Sequence, residues 1–108
     1  MIDIKIAVSS TGKDLNNKVD SVFGRCPYFI IAEIKNKKIL KLETFKNISA
    51  AKSGGAGISA AQFVADKGID AVIAGSIGPR ASDVLKQFKI KTYEESGSVK
   101  QVLQKFLK

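Results

Sequence analysis

The chain contains no histidine, no tryptophan and a single cysteine, Cys26. Each absence removes a class of chemistry. Without imidazole, neither a Ser-His-Asp nor a Cys-His nucleophile pair can be assembled, and a soft metal bonded to the protein would have to be bonded through Cys26. One thiol cannot close an internal disulfide, so nothing points to an oxidising compartment and the thiol is expected to be reduced. No apolar run is long enough to cross a bilayer, and no basic segment followed by an apolar one opens the chain. Together these read as a soluble cytoplasmic protein with no membrane partner. The pattern G-x-x-x-x-G-K-[ST] is missing, which excludes a P-loop. Asp3, Asp20, Asp66, Asp70 and Asp83 are scattered rather than clustered as a divalent-metal nuclease requires. A catalytic role is not expected.

What is present is a small, lysine-rich chain. Its 108 residues, 44% of them hydrophobic, suit one domain spanning 1–108 with a modest core. Eighteen Lys and Arg against ten Asp and Glu give a net charge of +8. Such a field attracts anions: nucleic acid, phosphorylated metabolites, acidic proteins or anionic metal clusters. Only Arg25 and Arg80 are arginine. Nucleic-acid readers interleave Arg and exposed aromatics with their basic patches. Nucleic acid is therefore a disfavoured partner, and most of the lysine reads as solvated surface.

Hydrophobic periodicity orders the elements as βββαβαβα. Ile4 to Val8 is a short apolar strand ended by the turn Ser9-Ser10-Thr11-Gly12. Tyr28 to Ile34 and Ile39 to Phe45 form a hairpin around Lys35-Asn36-Lys37-Lys38, with its second strand half exposed at the sheet edge. Behind Ser53 as N-cap, Ile58, Ala61, Val64 and Ala65 recur at helical spacing up to Gly68. Ile69 to Ala74 is a buried strand, Pro79 opens a helix with the apolar face Ala81, Val84, Leu85 and Phe88, and Ile90 to Tyr93 is the last strand. Ser98 and Gln101 make a capping box for a final helix burying Val99, Val102, Leu103 and Phe106. The expected fold is three-layer α/β, a five-stranded mixed sheet flanked by helices.

Strand–helix–strand units are parallel and right-handed, and hairpins are antiparallel, so strand two alone runs down. Four segments then meet at one edge of the sheet: Ser9 to Gly12, Phe23 to Tyr28, Lys46 to Gly57 and Gly75 to Arg80. Open α/β sheets bind ligands at this edge. Two helix N-termini are expected there, behind Gly54, Gly55 and Gly57 and behind Gly75, Ser76 and Gly78, each offering N–H groups and about half a positive charge. Arg25 adds a donor fork, and a cation beside Cys26 would favour the metal-binding thiolate. Taken singly, each glycine, serine or the lone thiol has a plain structural reading as a turn or a small core residue. Their convergence is what suggests a site for a negative ligand, with Cys26 as the one candidate metal ligand.

The segments IAVSSTGKDLNNKVDSVFGRCPYFII and SGGAGISAAQFVADKGIDAVIAGSIGPRASDVL resemble the dinitrogenase iron-molybdenum cofactor biosynthesis family, the small domains related to NifX, NafY and the C-terminal part of NifB. The resemblance covers nearly the whole chain and is carried by FGR, GGAG and G-x-I-G-P-x-A at these spacings. It implies a ribonuclease H-like fold without nuclease activity, and a carrier of an anionic iron-molybdenum or molybdenum-copper sulfide cluster, working with a protein that donates or accepts the cluster. By position, the cluster edge would be Ser9, Ser10, Thr11, Gly24, Arg25, Cys26, the Gly54 to Gly57 loop and Gly75 to Gly78. Nitrogen-fixation members commonly carry His directly before FGR, where this chain has Val22, so imidazole coordination is lost. A monomer or weak dimer is expected, and the alternative function is a lysine-rich interaction or nucleic-acid-associated module.

Overall fold

The apolar run near the start of the chain becomes the centre of the sheet. In the computed structural model, which describes residues 2–107, β1 (Ile4–Ser10) lies between β2 (Tyr28–Lys35) and β4 (Ala71–Ala74), with β3 (Lys38–Lys46) and β5 (Lys91–Glu94) at the edges. The order is β3-β2-β1-β4-β5; β1 and β3 run antiparallel to β2, and β4 and β5 run parallel to β1. The mixed five-stranded sheet is thus the expected one, with only β2 reversed. No helix among the described residues is long and apolar enough to cross a membrane.

Period-two alternation in β1 sorts the core into two layers. Ala7 joins Phe29, Ile31 and Val72 on the face covered by α1 (Ala56–Asp66) and α2 (Pro79–Gln87), through Ala60, Ala61, Val64, Ala81 and Leu85. Ile6 and Val8 join Ile30, Ala32 and Ile73 on the other face, covered by Val99, Val102 and Leu103 of α3 (Val99–Phe106). Full burial of side chains such as Val64, Leu85 or Leu103 is worth about 1.5–3 kcal/mol each.

Local signals place the helix ends. Pro79 occupies the first turn of α2, and Ser98 and Gln101 close a capping box on α3. Gly68, at φ +71°, ends α1 in the left-handed conformation that glycine adopts without penalty. Three expectations are corrected. Ser9 and Ser10 are not turn residues; β1 runs through both and buries them completely. Ser53 does not cap α1, which starts after Gly55 at φ +71°. Ile58 and Phe88 are not core residues, since α1 and α2 turn them outward to 41% and 48% exposure.

After β1 the chain turns to β2 on one side, and after β4 it turns to β5 on the other. The carboxyl ends of these two neighbouring parallel strands therefore border a crevice where the strand order reverses. Two short 3-10 turns, Phe23–Arg25 and Ile48–Ala51, and the N-termini of α1 and α2 are gathered around it.

Candidate anion-binding cleft

The crevice is a cleft of about 410 Å³ between the FGR turn and the first turns of α1 and α2. Its width is set by glycine. A Cβ on Gly24 would stand 2.7 Å from both the Cα and the N of Gly57, so the two backbones touch where any side chain would push them apart. Of the residues singled out from the sequence, Gly24, Arg25, Gly55, Gly57 and Gly78 line the cleft.

The walls are rich in unpaired donors. The first intrahelical bonds are Ser59 N–H to Gly55 O in α1 and Ser82 N–H to Gly78 O in α2. The N–H groups of Ala56, Gly57 and Ile58, and of Arg80 and Ala81, lie ahead of those bonds and have no intrahelical acceptor. Neither helix has a side-chain cap or an acidic residue in its first turn. Each N-terminus carries about half a positive charge. Both arginines of the chain, Arg25 and Arg80, line the same cleft. Arg25 is held in place: its Nη1 donates to Ala50 O at 3.0 Å and to Lys52 O. Nε and Nη2 make no hydrogen bond to the protein among the described residues. Val22, Ile58 and Pro79 supply an apolar rim.

Cys26 is elsewhere. It is fully buried in the layer beneath, its Sγ–H donating to Phe23 O at 3.3 Å. Burial pushes its pKa from 9.0 up to about 11, Asp20 adds to the rise, and Ser9 and Asn47 oppose it without reversing it. The expectation of a thiolate favoured by Arg25 is therefore corrected. Desolvation outweighs every neighbour, and Arg25 turns its Nη1 to the carbonyls of the next turn instead. Among the described residues no three His, Cys, Asp or Glu side chains group to hold a metal ion.

The remaining expected residues support the cleft from outside it. Ser9 Oγ is buried and has no hydrogen-bond partner of regular geometry. Ser10 Oγ donates to Gly12 O at 2.7 Å, and Thr11 N–H donates to Lys18 O at 3.0 Å, so both serve the local turn. Gly75 lies against Ser21, where a Cβ would come within 2.6 Å of that residue's Cα. Ser76 Oγ donates to Ser21 O at 2.7 Å and Ser76 O accepts from Phe23 N–H at 3.1 Å, which hangs the FGR turn from the loop after β4. Gly54 is exposed beside the cleft.

This architecture recurs in known proteins. The family model described as "Dinitrogenase iron-molybdenum cofactor" matches residues 4–108. The chain belongs to that family. An uncharacterised protein of Methanocaldococcus jannaschii is 36% identical over 93 residues, 85% of this chain and 79% of its own length. The apo form of the orange protein from Desulfovibrio gigas superposes with a TM-score of 0.88 at 33% identity, over 99% of this chain and 90% of that one. A candidate NifB protein from Thermotoga superposes with a TM-score of 0.79 at 31% identity, over 96% and 87%.

In this member of the iron-molybdenum cofactor family, the roles of Arg80 and Asn47 are set by the fold rather than by a sequence motif. Arg80 ends the Gly75 to Arg80 segment expected at this edge, and the structure sets it on the second wall of the cleft that Arg25 also lines. Asn47, 5% exposed, staples the two 3-10 turns together: its Nδ2 donates to Gly24 O at 3.2 Å and Cys26 O at 2.8 Å, while its Oδ1 accepts from Ser49 N–H at 3.1 Å. Ser49 Oγ then meets Ser59 Oγ of α1 at 2.7 Å, so the two 3-10 turns and α1 form one connected hydrogen-bonded unit beside the cleft. A lone asparagine after a strand carries no pattern that would reveal this.

Proposed function

We propose that this protein is a non-catalytic carrier for an anionic metal–sulfur cluster of the iron-molybdenum or molybdenum-copper type, held in the cleft between α1 and α2. The observation that carries the reading is the meeting of two uncapped helix N-termini and both arginines of the chain around one cleft. Family membership supports the class of cargo.

The donor set suits an anion held from outside rather than a metal bonded to the protein. Terminal sulfides of such a cluster accept hydrogen bonds from backbone N–H groups and from guanidinium, and arginine is weakly hydrated enough to give up its water to a soft anion. The apolar side chains of Val22, Ile58 and Pro79 at the rim lower the local polarity and strengthen those bonds. The net charge of +8 raises the local concentration of any anion. Cys26 takes no part in this reading, because its thiol is buried and protonated at neutral pH.

The test is an anaerobic titration with tetrathiomolybdate, with and without copper(I), followed by gel filtration, visible absorbance and metal analysis. The wild-type chain and Cys26→Ala retain a stoichiometric chromophore; the Arg25→Ala/Arg80→Ala double variant does not. Equal retention by the double arginine variant, or loss in Cys26→Ala alone, overturns the reading.

A further inference from the structure

The sheet ends on one side at β3, which is paired only to β2 among the described residues. This edge strand is nine residues long, and Leu40 and Leu42 stand 58% and 41% exposed on it. A long edge with exposed leucines invites pairing with another chain. Two devices modify that invitation. The register shift opposite Glu33 and Ile34 leaves Leu40 as a bulge, and Lys41 and Glu43 bracket Leu42 with opposite charges.

The bracketing is self-complementary. When two identical strands pair antiparallel about a twofold axis, each register brings a different residue face to face with its own copy. Centred on Lys41 or on Glu43, like charges meet at the axis. Centred on Leu42, Lys41 of each copy faces Glu43 of the other and Leu42 meets Leu42. Opposite charges directly across a strand pair attract and like charges repel, so the charge pattern selects this register. Within one chain Lys41 Nζ already lies 3.3 Å from Glu43 Oε1. Both side chains leave the same face of the strand and need only exchange partners. The same register would set Lys38 opposite Lys46, but the bulge at Leu40 breaks the regular ladder before that repulsion is reached. The opposite edge competes poorly: β5 offers four residues, and its Glu94 carboxylate is committed to the Ile77 N–H at 3.0 Å.

We propose that two copies of this chain associate by antiparallel pairing of β3 with β3 in the register centred on Leu42. With so few exposed apolar side chains, the contact is below the size of a permanent interface, and the dimer forms reversibly at high concentration.

Sedimentation equilibrium of the full chain from micromolar to millimolar concentration tests this. The expected result is a monomer–dimer equilibrium weakened about tenfold by Lys41→Glu and restored by Lys41→Glu/Glu43→Lys, which rebuilds both cross-strand pairs with reversed sign. Leu42→Cys, mildly oxidised, is expected to give a disulfide-linked dimer, because Cys26 is buried and position 42 faces its own copy. A chain that stays monomeric at millimolar concentration and does not cross-link through position 42 overturns the proposal. So does a dimer whose strength ignores the charge reversal.

Discussion

The N-terminus of α3 and those of α1 and α2 are the same physical object treated in opposite ways. At α3, Ser98 Oγ accepts from Gln101 N–H at 3.1 Å and the Gln101 side chain accepts from Ser98 N–H at 3.0 Å, while Val99 N–H and Lys100 N–H each donate at 2.9 Å to Asn17 O and Leu15 O, so every first-turn donor has an acceptor within the protein. At α1 and α2, glycine stands at the cap position, no side chain turns back, and the donors face a cleft shared with Arg25 and Arg80. Capping is worth about 1 kcal/mol per helix. The chain thus satisfies the first-turn donors of one helix and leaves those of two others uncapped around one cleft.

The largest effect expected from breaking this contrast is on ligand affinity. Charge-assisted hydrogen bonds contribute about 1.5–3 kcal/mol each, so Arg25→Ala/Arg80→Ala should weaken tetrathiomolybdate binding by roughly a hundredfold or more. Equilibrium dialysis under anaerobic conditions measures it. Next comes the layer beneath the cleft. The Cys26 pKa is raised from 9.0 to about 11 by burial, so the unfolded chain ionises first. The stabilisation is fully present below pH 9 and is lost between pH 9 and about 11. Urea titrations of wild type and Cys26→Ala across that window should diverge by roughly 2–3 kcal/mol, the wild type losing the stability, while ligand affinity at neutral pH stays the same.

Removing the α3 cap sharpens the comparison from the other side. Ser98→Ala should cost about 1 kcal/mol, seen as a melting temperature lower by roughly 4–8 °C, with no change in ligand binding. The smallest change in stability is expected from making α2 resemble α3. Position 78 has ordinary extended dihedrals and open space around its absent Cβ. Gly78→Asp should therefore gain a few tenths of a kcal/mol while weakening anion binding, because the new carboxylate competes for the same N–H groups. Thermal melts and the dialysis assay, run side by side, would show stability and affinity moving in opposite directions.

Much of the fold was legible because its signals are local. Pro79, Gly68 and the Ser98/Gln101 pair act within one turn of their own helix, and the apolar runs of β1, β2 and β4 carry their identity in their composition. The candidate site was legible in outline through the strand directions, which gather the glycine loops at one edge. What stayed hidden depends on neighbours distant in sequence. Cys26 reads either as a small core residue or as a thiolate favoured by Arg25, and a 3-10 turn held by Ser76 and Asn47 decides it by pointing the thiol down and the guanidinium across to residues 50 and 52. Ile58 fits a helical apolar stripe, but α1 is rotated so that Ala60, Ala61 and Val64 meet the sheet and Ile58 faces the cleft. Helix rotation is decided by the two surfaces a helix packs between, and neither is visible in its own residues. The mixed sheet was anticipated; the bulge at Leu40, which needs two strands to define it, was not.

The contact of Gly24 with Gly57 also divides the site by what substitution it can accept. Widening position 24 by one methyl group would spread the FGR turn from α1 and move Arg25 relative to the free N–H groups, so fold and ligand geometry cannot vary independently there. Positions 54 and 78 open onto empty space, and Val22 and Ile58 are exposed to 43% and 41%. The rim and loop tips therefore accept substitutions that leave the backbone in place, whereas the close approach at position 24 depends on glycine.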